Sequence, residues 1–413
     1  MSNTHSPQQA LAIHTVDKNI LVSASAGAGK TTVLIDRLMK RIRQDRVSVD
    51  EILAMTFTEA AAGEMKRRLA QKLNEEYKNT GDPFLYDQIT KLPGANISTI
   101  HSFCLTVIRD YSFVLRLDPK RAGNILDEGT AALYKQEAMR FVLDKAYANP
   151  PSGFVELLDT FSARPESDAN VAAAIDALAK VMGSKSDPET WLNESVDAYR
   201  IHGSLRHLRD DLAFYFFLSF QYVAEDLRNL LAEMRELADF PEKKQAQGEL
   251  QFASSETQLT LIFQAIQQRD YRRVRELFFR LVQHFPIAGS KNKEYTECRA
   301  AYKKKLTDVC KVCYTEDRFV ADLNALADRL TCLGDLTKEY ILAFARIKEE
   351  NDCIDFDDME HFALQILRHP EFDVADAYRN RFKEILVDEF QDLDPVQYEI
   401  LRYLVIQHRN VFC

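Results

Sequence analysis

The sequence predicts an α/β protein in which a parallel-sheet domain is interrupted by a large all-helical insertion. Short apolar runs at residues 19–23 and 52–57 are each followed by an amphipathic helical pattern, as in parallel α/β structure. Residues 120–345 are almost wholly helical in pattern, and a strand pattern returns at residues 384–387. Because this last strand would lack a sheet in a domain of its own, we assign it to the sheet of the first segment.

The predicted organisation has three parts. Residues 1–118 form the first part of the sheet domain, residues 119–347 the helical insertion, and residues 348–413 the second part of the sheet domain. Three consecutive independent domains are the alternative. The helical pattern of the insertion covers residues 131–147, 171–182, 205–240, 257–284, 297–312 and 318–348.

The composition is that of an ordinary globular protein. Of the 413 residues, 46% are hydrophobic and 28% charged, which excludes a disordered chain and a disulfide-stapled miniprotein. The net charge of −10 gives no overall attraction to nucleic acid, although residues 1–120 carry more basic than acidic side chains. No apolar run reaches the roughly 20 residues that span a bilayer, and the N-terminus lacks the features of a signal peptide. The seven cysteines follow no secreted framework, so the expected compartment is the cytoplasm.

A glycine-rich loop follows the first predicted strand and leads into a helix predicted over residues 31–43. The predicted nucleotide-binding residues of this loop are Ala24, Ser25, Ala26, Gly27, Ala28, Gly29, Lys30, Thr31 and Thr32. Apart from alanine at the first glycine, they match the phosphate-loop pattern G-x-x-x-x-G-K-[ST]. The glycines allow backbone N–H groups to face phosphate oxygens, Lys30 reaches the β- and γ-phosphates, and Thr31 binds Mg²⁺. A Gly/Ala-rich turn with an incidental lysine is the alternative.

Two carboxylates, Asp388 and Glu389, follow the strand predicted at residues 384–387. Such a position lies where open α/β sheets bind ligands. Asp388 suits Mg²⁺ coordination as a Walker B residue, and Glu389 suits activation of the attacking water. A solvated acidic loop is the alternative, which the presence of the phosphate-loop pattern disfavours. The predicted catalytic set is Lys30, Asp388, Glu389 and Gln391.

Four further segments resemble motifs of superfamily 1 helicases of the UvrD/Rep class. Residues 6–9 (SPQQ) resemble the glutamine motif that reads adenine, and residues 56–68 resemble the motif that touches single-stranded DNA after the second strand. Residues 97–104 (ISTIHSFC) resemble the next DNA-contacting motif, and residues 354–361 (IDFDDMEH) the segment that re-enters the first motor domain. Within the class, the last two segments are most similar to the AddA family, helicase–nuclease subunits of a bacterial double-strand-break repair enzyme.

The resemblance implies a P-loop NTPase with a RecA-like sheet, acting as an ATP-dependent DNA helicase or translocase of 3′–5′ polarity in DNA repair. It implies ATP and Mg²⁺ as cofactors, with Gln9 contacting adenine. The implied partners are single-stranded DNA, duplex DNA and an AddB-like second subunit; no membrane is implied. A second RecA-like domain with arginine fingers is expected to be absent from residues 1–413. A module that binds ATP and DNA without unwinding is therefore the alternative function.

The same resemblance implies DNA contacts at Phe57, Thr58, His101, Ser102 and Phe103. Exposed aromatic rings stack on bases, whereas hydroxyl groups donate hydrogen bonds to phosphates. Core packing is an equal alternative for Phe57 and Phe103, and helix capping is compatible with phosphate contact for Thr58 and Ser102. Glu59 stands where the class usually has asparagine.

Two features of the helical segment have competing interpretations. Basic clusters at residues 269–275 and 303–305 suit contact with a DNA backbone, but interspersed acidic residues favour an ordinary charged helix surface. Cys310 and Cys313 have the spacing of a metal site, but they lie on a predicted helix without a second regular cysteine pair. That context favours free thiols.

Overall fold

The computed structural model describes residues 5–23, 29–161, 168–286, 290–405 and 410–413. The chain forms two compact units. The first comprises Met1–Asn149, Ala172–Pro188 and Leu336–Cys413, and the second comprises Pro150–Val171 and Glu189–Asp335. The division predicted from sequence pattern, into residues 1–118, 119–347 and 348–413, stays a prediction.

The N-terminal part of the chain alternates helices and strands. Its elements are α1 (Pro7–His14), α2 (Lys30–Arg43), β1 (Ile52–Thr56), α3 (Glu59–Thr80), α4 (Pro83–Lys91), β2 (Asn96–Thr99), α5 (Ile100–Tyr111) and α6 (Glu128–Ala148). The helix starts have local causes. Thr58 caps α3 and Thr99 caps α5, because each side-chain oxygen accepts a backbone N–H of the first turn.

Helices follow through the middle of the chain. They are α7 (Phe154–Phe161), α8 (Ala169–Gly183), α9 (Pro188–Asp197), α10 (Asp210–Glu236), α11 (Glu242–Gln267), α12 (Tyr271–Gln283), α13 (Lys293–Val312) and α14 (Glu316–Glu350). The last part of the chain contains α15 (Phe356–Leu367), α16 (Val374–Arg381), β3 (Glu384–Val387), α17 (Pro395–Leu404) and β4 (Val411–Phe412). No helix in the described ranges is both long and apolar enough to cross a membrane.

One predicted helix is wrong. The pattern at residues 257–284 predicts a single helix, whereas the structure has α11 and α12 with a break between them. Arg269 adopts a left-handed φ of 52° there. The side chain of Asp270 then accepts the N–H of Arg273 and starts α12. Neither glycine nor proline marks this break, so the apolar periodicity alone did not indicate it.

Within the described ranges the sheet has four parallel strands in the order β2-β1-β3-β4. Strand β1 pairs with both β2 and β3, and Met55 lies opposite Val387 in the register with β3. All strand residues of β1 and β3 are buried, as expected for a parallel sheet covered on both faces. The predicted strands at residues 52–57 and 384–387 are therefore present within one residue.

The predicted strand at residues 19–23 is reduced to an isolated bridge between Ile20 and Phe412. The segment is nevertheless bonded along the β4 edge, where Ile20 N–H donates to the Val411 carbonyl at 2.8 Å. Val22 N–H similarly donates to the Cys413 carbonyl at 2.7 Å. The ladder is short because β4 itself has two residues.

Alternate strand residues pack into separate hydrophobic clusters on the two faces of the sheet. Leu53 and Met55 join the cluster formed with α5, α15, α16 and α17. Ile52 and Ala54 join the cluster formed with α1, α2, α3 and α4. This alternation follows from the two-residue period of a strand. The second unit has its own core, built from α10 to α13, in which Phe278, Tyr271 and Tyr302 are fully buried.

Candidate functional site

The carboxyl ends of three parallel strands bring together polar residues that are far apart in the sequence. Thr56 ends β1 opposite Thr99, which ends β2. Asp388 follows β3, and its N–H donates to the Met55 carbonyl at 2.9 Å. This edge of the sheet is the position where open α/β folds bind ligands.

Helix α2 begins at this edge with the described part of the glycine-rich loop. Gly29 is its N-cap, with a left-handed φ of 84°, and no side chain among the described residues caps the helix. The first-turn N–H groups, at Lys30, Thr31 and Thr32, are thus donors that an anion can use, and the helix dipole favours negative charge there. The predicted loop residues Ala24, Ser25, Ala26, Gly27 and Ala28 lie outside the described residues.

Lys30 forms an ion pair with Glu389. The Lys30 Nζ atom lies 3.1 Å from Glu389 Oε1 and 3.2 Å from Oε2. Gln391 Nε2 donates to Glu389 Oε2 at 2.6 Å. Hydrogen bonds from Gln391 and from Lys30 lower the pKa of the Glu389 carboxyl. The structure therefore brings three members of the predicted catalytic set into one cluster.

Asp388, the fourth member, is half-buried beside this cluster. Burial raises the pKa of its carboxyl, as does the neighbouring charge of Glu389, whereas Lys30 lowers it. A carboxylate that is partly desolvated next to a second carboxylate gains from a cation. Asp388 and the Thr31 hydroxyl are oxygen donors of the kind that Mg²⁺ accepts together with phosphate oxygens. The donor chemistry thus fits a magnesium nucleotide.

No group of three or more histidine, cysteine, aspartate or glutamate side chains in the described ranges is arranged to hold a metal ion. The proposed magnesium site differs from such a cage, because Mg²⁺ is commonly held by one or two carboxylates and by substrate phosphates. Cys310 and Cys313 are both free thiols. Burial raises the pKa of each, to about 12 for Cys313, which disfavours the thiolate that a metal needs.

Gln9 lies next to the start of α2. In α1, the Gln9 side chain accepts the Ser6 N–H at 2.9 Å, while Ser6 Oγ accepts the Gln9 N–H at 3.2 Å. This capping box fixes the first turn of the helix. The Gln9 Nε2 atom lies 3.5 Å from the point where a Cβ would stand on Gly29. The predicted adenine-reading residue is thus adjacent to the phosphate loop.

Sequence reasoning missed Arg37, which connects these parts. Its Nε donates to Glu384 Oε1 at 2.6 Å, so that α2 is tied to β3. Its NH1 group donates to the carbonyls of Ala12 and Thr15, at 2.7 and 2.6 Å, so that α2 is also tied to the end of α1. The sequence does contain one indication of this buried role, because Arg37 lies on the apolar face of a helix, between Leu34 and Leu38.

The predicted DNA-contacting residues fall into two groups. Phe57 is 50% exposed directly after β1. Phe103 is only 2% exposed and packs against Tyr378 and Phe382, with ring centroids 5.5 and 6.3 Å away. Of the two alternatives, the structure gives core packing for Phe103 and exposure for Phe57. The implied stacking of Phe103 on a base is corrected accordingly, because its ring has no free face.

The hydroxyl groups at this surface already have partners. Thr58 Oγ1 accepts the Ala61 N–H at 3.1 Å, and this cap leaves its hydroxyl proton available to a phosphate. Ser102 Oγ donates to Glu59 Oε1 at 2.7 Å, as does Thr99 Oγ1 at 3.0 Å. These two bonds lower the pKa of the Glu59 carboxyl. The cap of α5 is Thr99, so the capping role considered for Ser102 is wrong.

His101 stands in the first turn of α5 and faces α15. Its Nε2 lies 2.9 Å from Glu360 Oε1, and its ring packs edge-on against Phe356. The hydrogen bond with Glu360, and then the charges of Glu360, Asp394 and Asp357, raise the pKa of His101. The side chain remains 36% exposed, so it is available to an anionic ligand.

The basic clusters of the helical segment are largely paired with acids. Arg269 pairs with Asp210, Arg273 with Glu276 and Lys305 with Asp226, as the favoured interpretation of a charged helix surface expects. The same holds for the basic residues of α3, where Arg67 and Arg68 both pair with Glu64.

The comparisons with known proteins agree with these motifs. A family model described as UvrD/REP helicase N-terminal domain matches residues 5–413. An ATP-dependent helicase/nuclease subunit from Anoxybacillus flavithermus is 31% identical, over 96% of this chain and 34% of the relative. Proteins of the same name from Bacillus cytotoxicus and Acetivibrio thermocellus are 31% identical, over 93% and 94% of this chain and 32% of each relative. The chain spans about a third of the length of the curated relatives it matches.

Proposed function

Because this chain belongs to the family of the UvrD/REP helicase N-terminal domain, we propose that it carries the ATP-binding site of a DNA helicase or translocase that acts in DNA repair. The observation that supports this most directly is the Lys30–Glu389 pair at the carboxyl edge of the parallel sheet. In the sequence, Lys30 directly follows Gly29 of the glycine-rich loop, and Glu389 directly follows Asp388. A phosphate-binding lysine and two acidic residues thus meet although 359 positions separate the paired residues.

In this proposal the first turn of α2 and Lys30 hold the phosphates of ATP. Thr31 and Asp388 would hold Mg²⁺, which would neutralise phosphate charge. When Lys30 turns toward the phosphates, Glu389 loses one of the two hydrogen bonds that lower its pKa. The Glu389 carboxylate then becomes a better proton acceptor for the attacking water, while Gln391 keeps it oriented.

Gln9 is proposed to recognise adenine, because an amide offers a donor and an acceptor to the edge of the base. Its place beside Gly29 is consistent with a base that lies next to bound phosphates. The DNA surface is proposed to comprise Phe57, Thr58 and His101, with Ser102 contributing only if its bond with Glu59 opens. Movement along the strand is proposed to be 3′–5′, by resemblance to the class.

We also propose that residues 1–118 and 348–413 make one RecA-like motor domain, and that residues 119–347 are a helical insertion in it. The relatives are named helicase/nuclease subunits. A second subunit of the AddB type is accordingly proposed as a partner.

The test is equilibrium titration of residues 1–413 with a fluorescent ATP analogue and with oligo(dT), each with and without Mg²⁺. The proposal predicts Mg²⁺-dependent binding of the nucleotide and salt-dependent binding of the oligonucleotide. Failure to bind the nucleotide in the presence of Mg²⁺ would contradict it.

The alternative is a module that binds ATP and DNA but does not unwind duplexes. Lys30, Thr31, Asp388 and Glu389 form one wall of a nucleotide site, and arginine fingers of related NTPases contribute about 10³–10⁵ in rate. Strand-separation and DNA-stimulated ATPase assays of residues 1–413 distinguish the two functions. We expect weak hydrolysis and no unwinding by this chain alone.

A further inference from the structure

A series of hydrogen-bonded side chains starts at His101 and continues through two buried residues. Glu360, on α15, is 5% exposed. Its Oε1 atom is 2.9 Å from His101 Nε2, and the same atom accepts a hydrogen bond from Gln397 Nε2 at 2.7 Å. One carboxylate oxygen thus joins a residue of the proposed DNA surface to α17, the helix that follows the Walker B segment.

Gln397 is fixed in the first turn of α17. Its N–H donates to the N-cap residue Asp394 at 2.8 Å, and its side chain is 7% exposed. The Gln397 Oε1 atom is buried and has no hydrogen-bond partner among the described residues. A buried amide oxygen without a hydrogen-bond donor destabilises the fold, so this atom favours a bound donor such as water.

Gln397 also lines a small cavity. Its volume is about 30 Å³, and its lining includes Gln397, His101, Phe57, Thr56 and Asp388. The remaining walls are mainly apolar side chains from the strand ends and from α5. The cavity is large enough for one water molecule, and Thr56, Asp388 and Gln397 offer such a water polar partners. Two residues of the proposed DNA surface and the proposed Mg²⁺ ligand therefore border one space.

We propose that Glu360 and Gln397 are positioning residues that couple DNA contact at His101 to Asp388 through a water held in this cavity. The inference rests on the proposed function, which supplies the two ligands but does not say how their sites communicate. It assigns that communication to residues inside this chain, rather than to contacts made elsewhere in a motor.

The physical basis is competition for one donor. A DNA phosphate at His101 attracts the Nε2 proton that Glu360 Oε1 otherwise accepts. Glu360 Oε1 then keeps its hydrogen bond from Gln397 Nε2, and the Gln397 amide shifts with it beside the cavity. Asp388 thereby acquires a different polar environment when DNA is bound. A ligand changes a distant site only through such a difference in contacts.

The experiment measures the affinity of residues 1–413 for a Mg²⁺-bound fluorescent ATP analogue, with and without saturating oligo(dT). Couplings between sites are typically 5–150-fold, so we expect a change of at least about 5-fold for the unaltered chain. We expect Gln397→Met to reduce the coupling to less than about 2-fold while each ligand alone binds within about 3-fold of normal. Methionine has a similar volume and cannot hold the water.

The double variant Glu360→Leu/Gln397→Met guards against misfolding, because removal of both buried partners leaves neither unsatisfied. It should lose the coupling as well.

The control is Glu316→Gln, since Glu316 is a buried carboxylate of the second unit that accepts the Leu205 N–H at 2.9 Å. This variant should keep the full coupling. A merely structural role for Gln397 would instead weaken both affinities and lower the melting temperature.

The results of these titrations distinguish a failure of the proposed function from a failure of the proposed coupling. If the unaltered chain binds neither ligand, the proposed function fails and the coupling fails with it. If it binds both without coupling, or if the variants keep the coupling of the unaltered chain, the inference alone is overturned.

Discussion

Arg37 and Glu384 form an ion pair in which Arg37 Nε lies 2.6 Å from Glu384 Oε1 and both side chains are 2% exposed. Arg41 adds a second cation, 2.9 Å from Glu384 Oε2. Since Arg37 also binds the carbonyls at the end of α1, the pair joins the helices of Gln9 and Lys30 to β3, the strand that precedes Asp388. The elements of the proposed nucleotide site are thus joined by one buried network.

Arg37→Met should lower the free energy of unfolding of the chain by about 3–5 kcal/mol, because it leaves Glu384 and two helix-end carbonyls without their buried partner. Arg37→Met/Glu384→Leu should recover part of this loss. The matched control is Arg140→Ala, because Arg140 and Asp144 form an exposed pair at 3.6 Å and such pairs contribute about 1 kcal/mol or less. Urea denaturation measures all three. A loss for Arg37→Met as small as that of the control would contradict the role of the pair.

Phe57→Ala and Phe103→Ala should have opposite effects. Phe57 is half exposed, so its truncation should leave stability within about 0.5 kcal/mol and weaken single-stranded DNA binding by about 1–3 kcal/mol. Phe103 is buried, so its truncation should cost about 3–5 kcal/mol of stability. Fluorescence anisotropy with oligo(dT), alongside denaturation, measures both effects. Unchanged DNA affinity of Phe57→Ala would remove Phe57 from the DNA surface.

The stability of the chain should depend on pH through His101. Its folded-state pKa is raised, first by the hydrogen bond with Glu360 and then by the charges of Glu360, Asp394 and Asp357. A raised folded-state pKa stabilises the fold fully below the unfolded value of about 6.5, and the contribution disappears as pH rises through the folded value. The unfolding free energy of the unaltered chain, minus that of His101→Gln, should therefore be larger at about pH 6 than at about pH 9. A difference that grows with pH would contradict this assignment.

Asp388→Asn and Glu389→Gln should separate metal binding from catalysis. Asp388→Asn should weaken nucleotide binding only when Mg²⁺ is present, because an amide lacks the charge that holds the ion. Glu389→Gln should leave binding intact, since it releases Lys30 from a competing carboxylate, and should remove hydrolysis because an amide accepts no proton from water. Titrations with and without Mg²⁺, together with an ATPase assay, measure both. Equal effects of the two substitutions on affinity would make the division of roles wrong.

The sequence indicated the parallel strands at residues 52–57 and 384–387 well, because each is a continuous apolar run with polar residues at its end. The positions of Lys30 and Glu389 at one edge followed from the same reasoning. Local patterns were enough to predict these strands and the polar residues at their ends, because each apolar run and the residues that follow it lie in one short segment.

Features that depend on long-range packing were not predictable. The apolar character of Phe103 suits both a core and a DNA surface, and only the packing of Tyr378 and Phe382 against it decides. Arg37 resembles any helical arginine until β3 brings Glu384 next to it, 347 residues later. The shared bond of His101 and Gln397 with Glu360 likewise joins three segments whose proximity no single segment encodes.

We propose above all that the first turn of α2 binds the phosphates of ATP through Lys30, and one equilibrium titration tests this binding. The affinity of Lys30→Ala for a Mg²⁺-bound ATP analogue is compared with that of the unaltered chain and of Lys78→Ala, an exposed lysine in the last turn of α3. We predict that Lys30→Ala loses tight binding while its melting curve stays unchanged, because the Lys30–Glu389 pair is partly exposed and contributes about 1 kcal/mol or less. We also predict that Lys78→Ala binds normally. Undiminished nucleotide affinity in a folded Lys30→Ala chain would show that Lys30 does not bind the phosphates.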